Sequence, residues 1–101
     1  MTDLLSLTAT LVGVPSVSHD EAALADRVAE SLAQHDWLAV ERIGDNVVAR
    51  TDLGRSQRLV VAGHLDTVPP AGNERPRIDG DVLWGVGAAD MKGGLAVMLD
   101  L

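Results

Sequence analysis

His64 and Asp66 are separated by one residue and follow residues 59–62, a continuous run of aliphatic side chains. Such a run is typical of a strand covered on both faces, and open α/β sheets place ligand sites at the carboxyl ends of their strands. In an extended segment His64 and Asp66 share a face, while Leu65 points into the core. A neutral imidazole binds zinc through one nitrogen, and a nearby carboxylate can orient the other. This geometry suits a metal site, but such triplets are common by chance, so for His64 and Asp66 taken alone the favoured interpretation is a surface histidine beside a turn-forming aspartate.

Asp90 is the next residue of this kind, because it stands between glycines at positions 85, 87, 93 and 94. Glycine allows backbone conformations that other residues avoid, and it lets the chain approach a ligand closely. A carboxylate in such a segment, just before a helix, can bridge two cations with its two oxygens. In the alternative interpretation, Asp90 is the N-cap of that helix. The two roles are compatible.

The same glycines do not form a phosphate-binding loop. Gly85 and Gly87 begin like a dinucleotide fingerprint, but its sixth position is Asp90, whose charge repels a pyrophosphate. No Gly-Lys-Ser or Gly-Lys-Thr sequence follows, which excludes a Walker loop. His19 is interpreted as an exposed residue of a capping box, and His35 as a residue near a helix end, where a positive charge suits the helix dipole.

The composition restricts both the ligands and the partners of the chain. Its 101 residues include no cysteine, so any metal must be held by histidine and carboxylate side chains. The formal charge of −7 disfavours binding to nucleic acid and to anionic membrane surfaces. No apolar run approaches the roughly 20 residues of a membrane span, and the first residues lack the basic region of a secretory signal. We expect a cytoplasmic protein that binds neither nucleic acid nor membrane.

Three helices are predicted from capping residues and apolar periodicity. Asp3 caps the first, in which leucines recur at helical spacing. Ser18 and Glu21 fit a capping box, so a second helix is expected from there to about His35. A third helix is expected from Lys92 onward. The buried face predicted for the second helix comprises Ala25, Val28, Ala29 and Leu32.

Strands are predicted where the apolar period changes to two. Residues 38–43 and 47–50 flank a turn sequence at 44–46 and indicate a hairpin. Residues 59–62 indicate a central strand, and residues 77–84 indicate two short strands. Residues 15–17 are interpreted as a short loop.

The element order indicates an α/β fold, with residues 1–101 as one portion of a larger domain. The third helix shows no stop signal before Leu101, and the central strand lacks parallel neighbours in the sequence. We therefore expect a chain that is truncated within a helix.

The paired segments 63–69 and 85–94 resemble the motifs of the di-zinc aminoacylase/carboxypeptidase family of metallopeptidases, and most closely those of its desuccinylase members. The resemblance runs through the whole chain, including the opening helix, residues 15–18 and the hairpin. It implies the N-terminal portion of a three-layer αβα zinc-peptidase-like catalytic domain with a mixed sheet. The lid or dimerisation domain of the family is absent from these residues.

The resemblance also implies roles for three residues. His64 is expected to ligate one zinc ion, Asp90 to bridge two zinc ions, and Asp66 to serve catalysis by orienting His64. Co²⁺ can substitute for Zn²⁺, and the Asp90–Met91 peptide bond is expected to be cis. The implied reaction is hydrolysis of an amide bond in a small N-acyl amino acid by a homodimer. Because the family's other ligands and its general-base glutamate have no counterpart here, the chain alone is expected to be inactive and to bind zinc weakly.

Two alternatives remain at this level. Acetylornithine deacetylases, carboxypeptidases and tripeptidases share these motifs, and Val86 departs from the Arg or Thr that relatives often carry. The other alternative is a metal-free scaffold remnant, but a scaffold has no need for His64, Asp66 and Asp90 together.

Overall fold

The computed structural model describes residues 3–101 and contains three α-helices. They are α1 (Leu4–Val12), α2 (Ala22–Ala33) and α3 (Gly93–Asp100), and a widened turn at Ala88–Lys92 leads directly into α3. All three helices were predicted. Among residues 3–101, no helix is both long enough and apolar enough to cross a membrane.

The predicted cap of α1 is confirmed. One carboxylate oxygen of Asp3 accepts hydrogen bonds from the backbone N–H groups of Leu5 at 3.0 Å and Ser6 at 3.4 Å. The Ser6 hydroxyl donates to the other oxygen at 2.8 Å. These bonds satisfy N–H groups that have no partner within the helix.

The predicted capping box of α2 is wrong. The helix begins at Ala22, and its N-cap is Glu21, which makes no side-chain capping bond. The Glu21 carboxylate instead accepts a hydrogen bond from the backbone N–H of His19 at 2.7 Å. The Ser18 hydroxyl is directed away from the helix, towards Asp66. A partner far along the chain has therefore replaced the local one.

Both predicted hairpins are present. Strands β1 (Ala39–Ile43) and β2 (Asn46–Arg50) pair antiparallel, as do β3 (Arg77–Asp79) and β4 (Val82–Trp84). Arg42 of β1 joins its hairpin to α2 through an ion pair of 2.6 Å with Asp26. In the second hairpin, Trp84 is exposed and lies under the Arg77 guanidinium, 5.4 Å from the ring centre.

The predicted central strand at residues 59–62 is not formed. These residues have no regular structure, and Leu59, Val60 and Val61 are 89%, 75% and 51% exposed. A strand exists only when its main chain is hydrogen-bonded to a neighbour, and within residues 3–101 the four strands pair only as two hairpins. The structure is thus a small α/β arrangement with two antiparallel sheets, and the described part of the chain contains no mixed sheet.

The core lies where the three helices meet. Leu11 of α1 packs with Leu24 and Val28 of α2 and with Leu95 and Ala96 of α3. The predicted buried face of α2 is right for Ala25 and Val28 but omits Leu24, which is fully buried. This cluster is aliphatic throughout, and it holds the start of α3 against α1 directly behind the Asp90 turn.

Candidate metal centre

The three predicted site residues lie together, with the imidazole of His64 between two acidic residues. Its Nε2 is 2.8 Å from Oδ1 of Asp90. Its Nδ1 faces Asp66, 3.1 Å from the backbone carbonyl oxygen and 3.2 Å from Oδ1. The two ring nitrogens thus have separate partners, as expected when one nitrogen is oriented and the other is available to a ligand.

A short parallel pairing positions the His64 segment. Val17 and Thr67 form a parallel β-bridge. The Thr67 N–H donates to the Ser16 carbonyl at 2.9 Å, and the Ser18 N–H donates to the Thr67 carbonyl at 3.1 Å. The buried Ser16 hydroxyl donates to the Leu65 carbonyl at 2.8 Å. Residues 15–17, interpreted from the sequence as a loop, are therefore the pairing partner of the motif.

The Asp66 carboxylate has a further partner, which sequence reasoning missed. The Ser18 hydroxyl donates to Oδ2 of Asp66 at 2.5 Å, while Oδ1 faces His64. Because Ser18 and Glu21 match a capping box, a local role for the serine was the natural reading. The only sequence signal for this contact is the proximity of Ser18 to Ser16 and Val17.

Asp90 lies in the widened turn between Gly87 and Gly93 and has extended backbone angles, φ −128° and ψ 89°. The Asp90–Met91 peptide bond is cis, as the resemblance implies. The alternative in which Asp90 caps the last helix is wrong, because the N-cap of α3 is Lys92. Gly87 has a φ of +76°, which is the left-handed region that favours glycine. The turn leaves the Asp90 side chain 86% exposed, and His64 is its hydrogen-bond partner.

Two further contacts hold this turn in place. The His64 backbone N–H donates to the Met91 sulfur at 3.3 Å, which joins the main chain of the first motif to a side chain of the second. The Lys92 ammonium is buried and donates to the Val14 carbonyl at 2.9 Å. Sequence reasoning used Lys92 only to mark the start of a helix. A lysine followed by two glycines gives no sign that its charge is buried.

Hydrogen bonds set the protonation of the site. The pKa of His64 is raised, chiefly because Asp90 accepts a hydrogen bond from the ring. Partial burial opposes this rise. The Asp66 carbonyl and the charges of both carboxylates add to it. The pKa of Asp66 is lowered, chiefly because the Ser18 hydroxyl donates to its carboxylate. Protons therefore compete with a cation for the His64 ring, and Asp66 stays ionised beside it.

The donor chemistry of His64 and Asp90 suits zinc, which binds imidazole nitrogen and carboxylate oxygen. The facing Nε2 and Oδ1 atoms are at hydrogen-bond distance, whereas two donors on a tetrahedral zinc are ~3.3 Å apart. A small outward rotation of the exposed Asp90 side chain would accommodate one ion. In the part of the chain that is described, no group of three or more His, Cys, Asp or Glu side chains is arranged to hold a metal. His64 and Asp90 are thus two candidate donors, and the described residues do not form a complete metal site.

Comparison with known proteins relates the sequence around this site to a family. The family model described as Peptidase family M20/M25/M40 matches residues 60–101, the segment that carries His64, Asp66 and Asp90. Residues 60–101 are therefore similar in sequence to members of peptidase family M20/M25/M40. The matched segment includes both site motifs, and the cis Asp90–Met91 bond lies within the second of them.

Curated relatives of the chain carry a common name. A Mycobacterium tuberculosis (strain H37Rv) protein named "Putative succinyl-diaminopimelate desuccinylase DapE" is 52% identical over 100 residues, covering 98% of this chain and 28% of the relative. The succinyl-diaminopimelate desuccinylase of Corynebacterium glutamicum is 42% identical over 99 residues, 96% of this chain and 27% of the relative. That of Stenotrophomonas maltophilia (strain K279a) is 38% identical over 110 residues, 98% of this chain and 29% of the relative. The chain thus spans about 28% of the length of such relatives.

Proposed function

We propose that this chain supplies one part of a two-zinc centre that hydrolyses N-succinyl-LL-2,6-diaminopimelate to succinate and LL-2,6-diaminopimelate. The observation that carries the proposal is the position of the His64 ring, with Nε2 2.8 Å from Asp90 and Nδ1 facing Asp66. The family match and the names of the relatives support the reaction class and the substrate.

Each residue of the site has a distinct task in this proposal. The Nδ1–H group of His64 donates to Asp66, so a cation that displaces the proton shared by Nε2 and Asp90 would bind the Nε2 lone pair. Asp90 would hold the cations through its carboxylate oxygens. When bound, zinc supplies Lewis acidity that polarises the amide carbonyl and acidifies water. Ionised Asp66 keeps the ring oriented throughout.

We assign the remaining metal ligands and the general-base glutamate to the part of the protein that corresponds to the unmatched residues of the relatives. The same holds for the rest of a three-layer αβα domain with a mixed sheet, in which residues 59–62 would gain strand partners. The exposed aliphatic side chains of residues 59–61 support this, because a two-sided apolar strand is stable only between covering layers. A cytoplasmic homodimer completes the proposal.

A chimera tests the function. The chain replaces the matching segment of the Corynebacterium glutamicum relative, which is 27% of that protein. We expect the chimera to release succinate from N-succinyl-LL-2,6-diaminopimelate. His64→Ala and Asp90→Ala should each lower kcat/KM by at least about a hundredfold, because a lost ligand costs more than the 10- to 100-fold typical of a residue that only supports one.

His35→Ala is the matched control, since His35 is also exposed but lies outside the site. It should leave kcat/KM within about twofold of the unsubstituted chimera, because isolated surface substitutions have small effects. Full hydrolysis by the His64→Ala chimera would instead favour the metal-free scaffold.

A further inference from the structure

The Ser18 side chain makes a hydrogen bond that neither the fold of α2 nor the proposed chemistry accounts for. Its hydroxyl is 2.5 Å from Oδ2 of Asp66 and 3.4 Å from the Thr67 carbonyl. A hydroxyl has one proton to donate, and the shorter contact to a charged acceptor is the stronger of the two. The bond joins residues 48 positions apart in the chain.

The backbone holds Ser18 at this position independently of its hydroxyl. The Ser18 N–H donates to the Thr67 carbonyl at 3.1 Å, and the Thr67 N–H donates to the Ser16 carbonyl at 2.9 Å. Because these bonds involve only main-chain atoms, removal of the Ser18 hydroxyl leaves the pairing in place. The side chain is exposed, so its removal creates no cavity.

The two oxygens of the Asp66 carboxylate are used differently. Oδ2 is held by Ser18, and Oδ1 is 3.2 Å from Nδ1 of His64. The Asp66 side chain is 42% exposed, so without Ser18 its carboxylate is free to rotate and exchange this contact for water. The His64 ring would then keep only the Asp66 backbone carbonyl as the partner of Nδ1.

We propose that Ser18 is a positioning residue of the metal centre. Its hydroxyl holds the Asp66 carboxylate so that Oδ1 faces Nδ1 of His64 and Nε2 is presented to zinc. This inference rests on the proposed function, since it concerns the same site. The alternative role, capping of α2, is excluded because that helix begins at Ala22 with no side-chain cap.

Zinc affinity is the decisive measurement, made by calorimetry on the chimera and by the zinc-induced shift of the His64 ring signals in the 101-residue chain. Ser18→Ala should weaken zinc binding by the chimera about 3- to 10-fold. Removal of a direct hydrogen-bond partner of a ligating histidine typically weakens metal binding about 10- to 100-fold, and Ser18 acts one step further away, through Asp66. Ser18→Thr retains the hydroxyl and should restore the affinity. Ser18→Val, which has nearly the shape of threonine but no hydroxyl, should behave like Ser18→Ala.

Ser6→Ala is the matched control, because Ser6 also donates its hydroxyl to an exposed aspartate, at 2.8 Å. It should leave zinc affinity unchanged. Equal zinc affinity in the Ser18→Ala and Ser6→Ala chimeras would overturn the positioning role and leave the proposed function intact. An unsubstituted chimera that binds no zinc would overturn both. Ser18→Ala could also lower zinc affinity and thermal stability together, without recovery in Ser18→Thr. That result would overturn the positioning role, because it would indicate that Ser18 supports the fold.

Discussion

Gly87 stands against Thr67 at the point where the two motifs meet. A β-carbon built on Gly87 would collide with the γ-methyl group of Thr67, and the backbone there has a φ of +76°. Two independent constraints therefore require glycine, one from the backbone conformation and one from the space available. The contact between Gly87 and Thr67 thus packs the Asp90 turn against the His64 segment.

Gly87→Ala should lower the free energy of unfolding of the chain by about 2–4 kcal/mol, which combines the left-handed backbone cost with the collision. Gly44→Ala is the control, because Gly44 has a φ of +61° but nothing within 4 Å of a built β-carbon. It should cost only about 1–2 kcal/mol. Combining Gly87→Ala with Thr67→Ser, which removes the γ-methyl group, should recover part of the loss. Equal costs at positions 44 and 87, measured by urea unfolding, would show that the Thr67 contact is unimportant.

Helix α3 is tied to the end of α1 by a buried charge. Lys92 is 1% exposed, and its ammonium donates to the carbonyl of Val14. Burial lowers the pKa of Lys92, because desolvation disfavours the charged form. The long side chain also fills space between the two elements, so both packing and hydrogen bonding depend on it.

Lys92→Ala should destabilise the chain by about 2–4 kcal/mol, because it leaves a cavity and an unpaired carbonyl. Lys92→Met should cost less, since methionine refills most of the volume and removes the desolvation cost of the charge. Arg27→Ala, which removes an exposed cation from α2, is the control and should change stability by less than about 0.5 kcal/mol. Urea unfolding measures all three. A similar cost for Lys92→Ala and Arg27→Ala would contradict the burial of Lys92.

The cap of α1 makes that helix sensitive to acid. The pKa of Asp3 is lowered below its ordinary value of 3.8, chiefly because the Ser6 hydroxyl donates to it. A lowered folded pKa means that the cap contributes its full stabilisation above pH 3.8 and loses it as the pH falls through the folded value. This pH dependence concerns the stability of α1, because the cap satisfies the first N–H groups of that helix.

Ser6→Ala should raise the pKa of Asp3 towards 3.8, as followed by the carboxyl ¹³C signal of Asp3 in a pH titration. Asp3→Asn keeps a capping oxygen without the titrating charge, so its thermal stability should depend less on pH below 3.8. An unchanged Asp3 titration in Ser6→Ala would mean that the hydroxyl bond does not set the pKa.

Taken as a whole, the molecule combines a buried aliphatic core with an exposed aliphatic segment at residues 59–61. Residues 59–61 carry no regular structure and are mostly exposed, although they lead directly into His64. Adjacent exposed aliphatic side chains of this kind promote association, because burial of apolar surface is favourable.

Val60→Ser should therefore reduce hydrophobic-dye binding and self-association of the 101-residue chain while leaving its unfolding free energy within about 0.5 kcal/mol. Leu24→Ser is the contrasting variant, because Leu24 is fully buried in the core. It should cost about 3–5 kcal/mol. Light scattering and urea unfolding distinguish the two effects. A large loss of stability in Val60→Ser would show that residues 59–61 are packed in solution.

The sequence by itself determined the local elements and the chemistry of the site. The Asp3 cap, the turns of both hairpins and the aliphatic stripes act over a few residues, so their pattern specifies α1, β1–β4 and most of the core. The spacing of His64 and Asp66, with glycines around Asp90, predicted residues that meet in the structure, and the resemblance of the two motifs to known metallopeptidases predicted the family whose model matches residues 60–101. The absence of cysteine limited the metal ligands to imidazole and carboxylate.

Only the tertiary structure decided how those residues are held. Ser18 has a local partner in Glu21 by sequence but a stronger one in Asp66, and burial of Lys92 depends on the position of Val14. Residues 59–62 have the composition of a strand and no partner among residues 3–101. In each case the outcome depends on contacts between segments far apart in the chain, and a local pattern contains no information about which distant groups will satisfy a hydrogen bond.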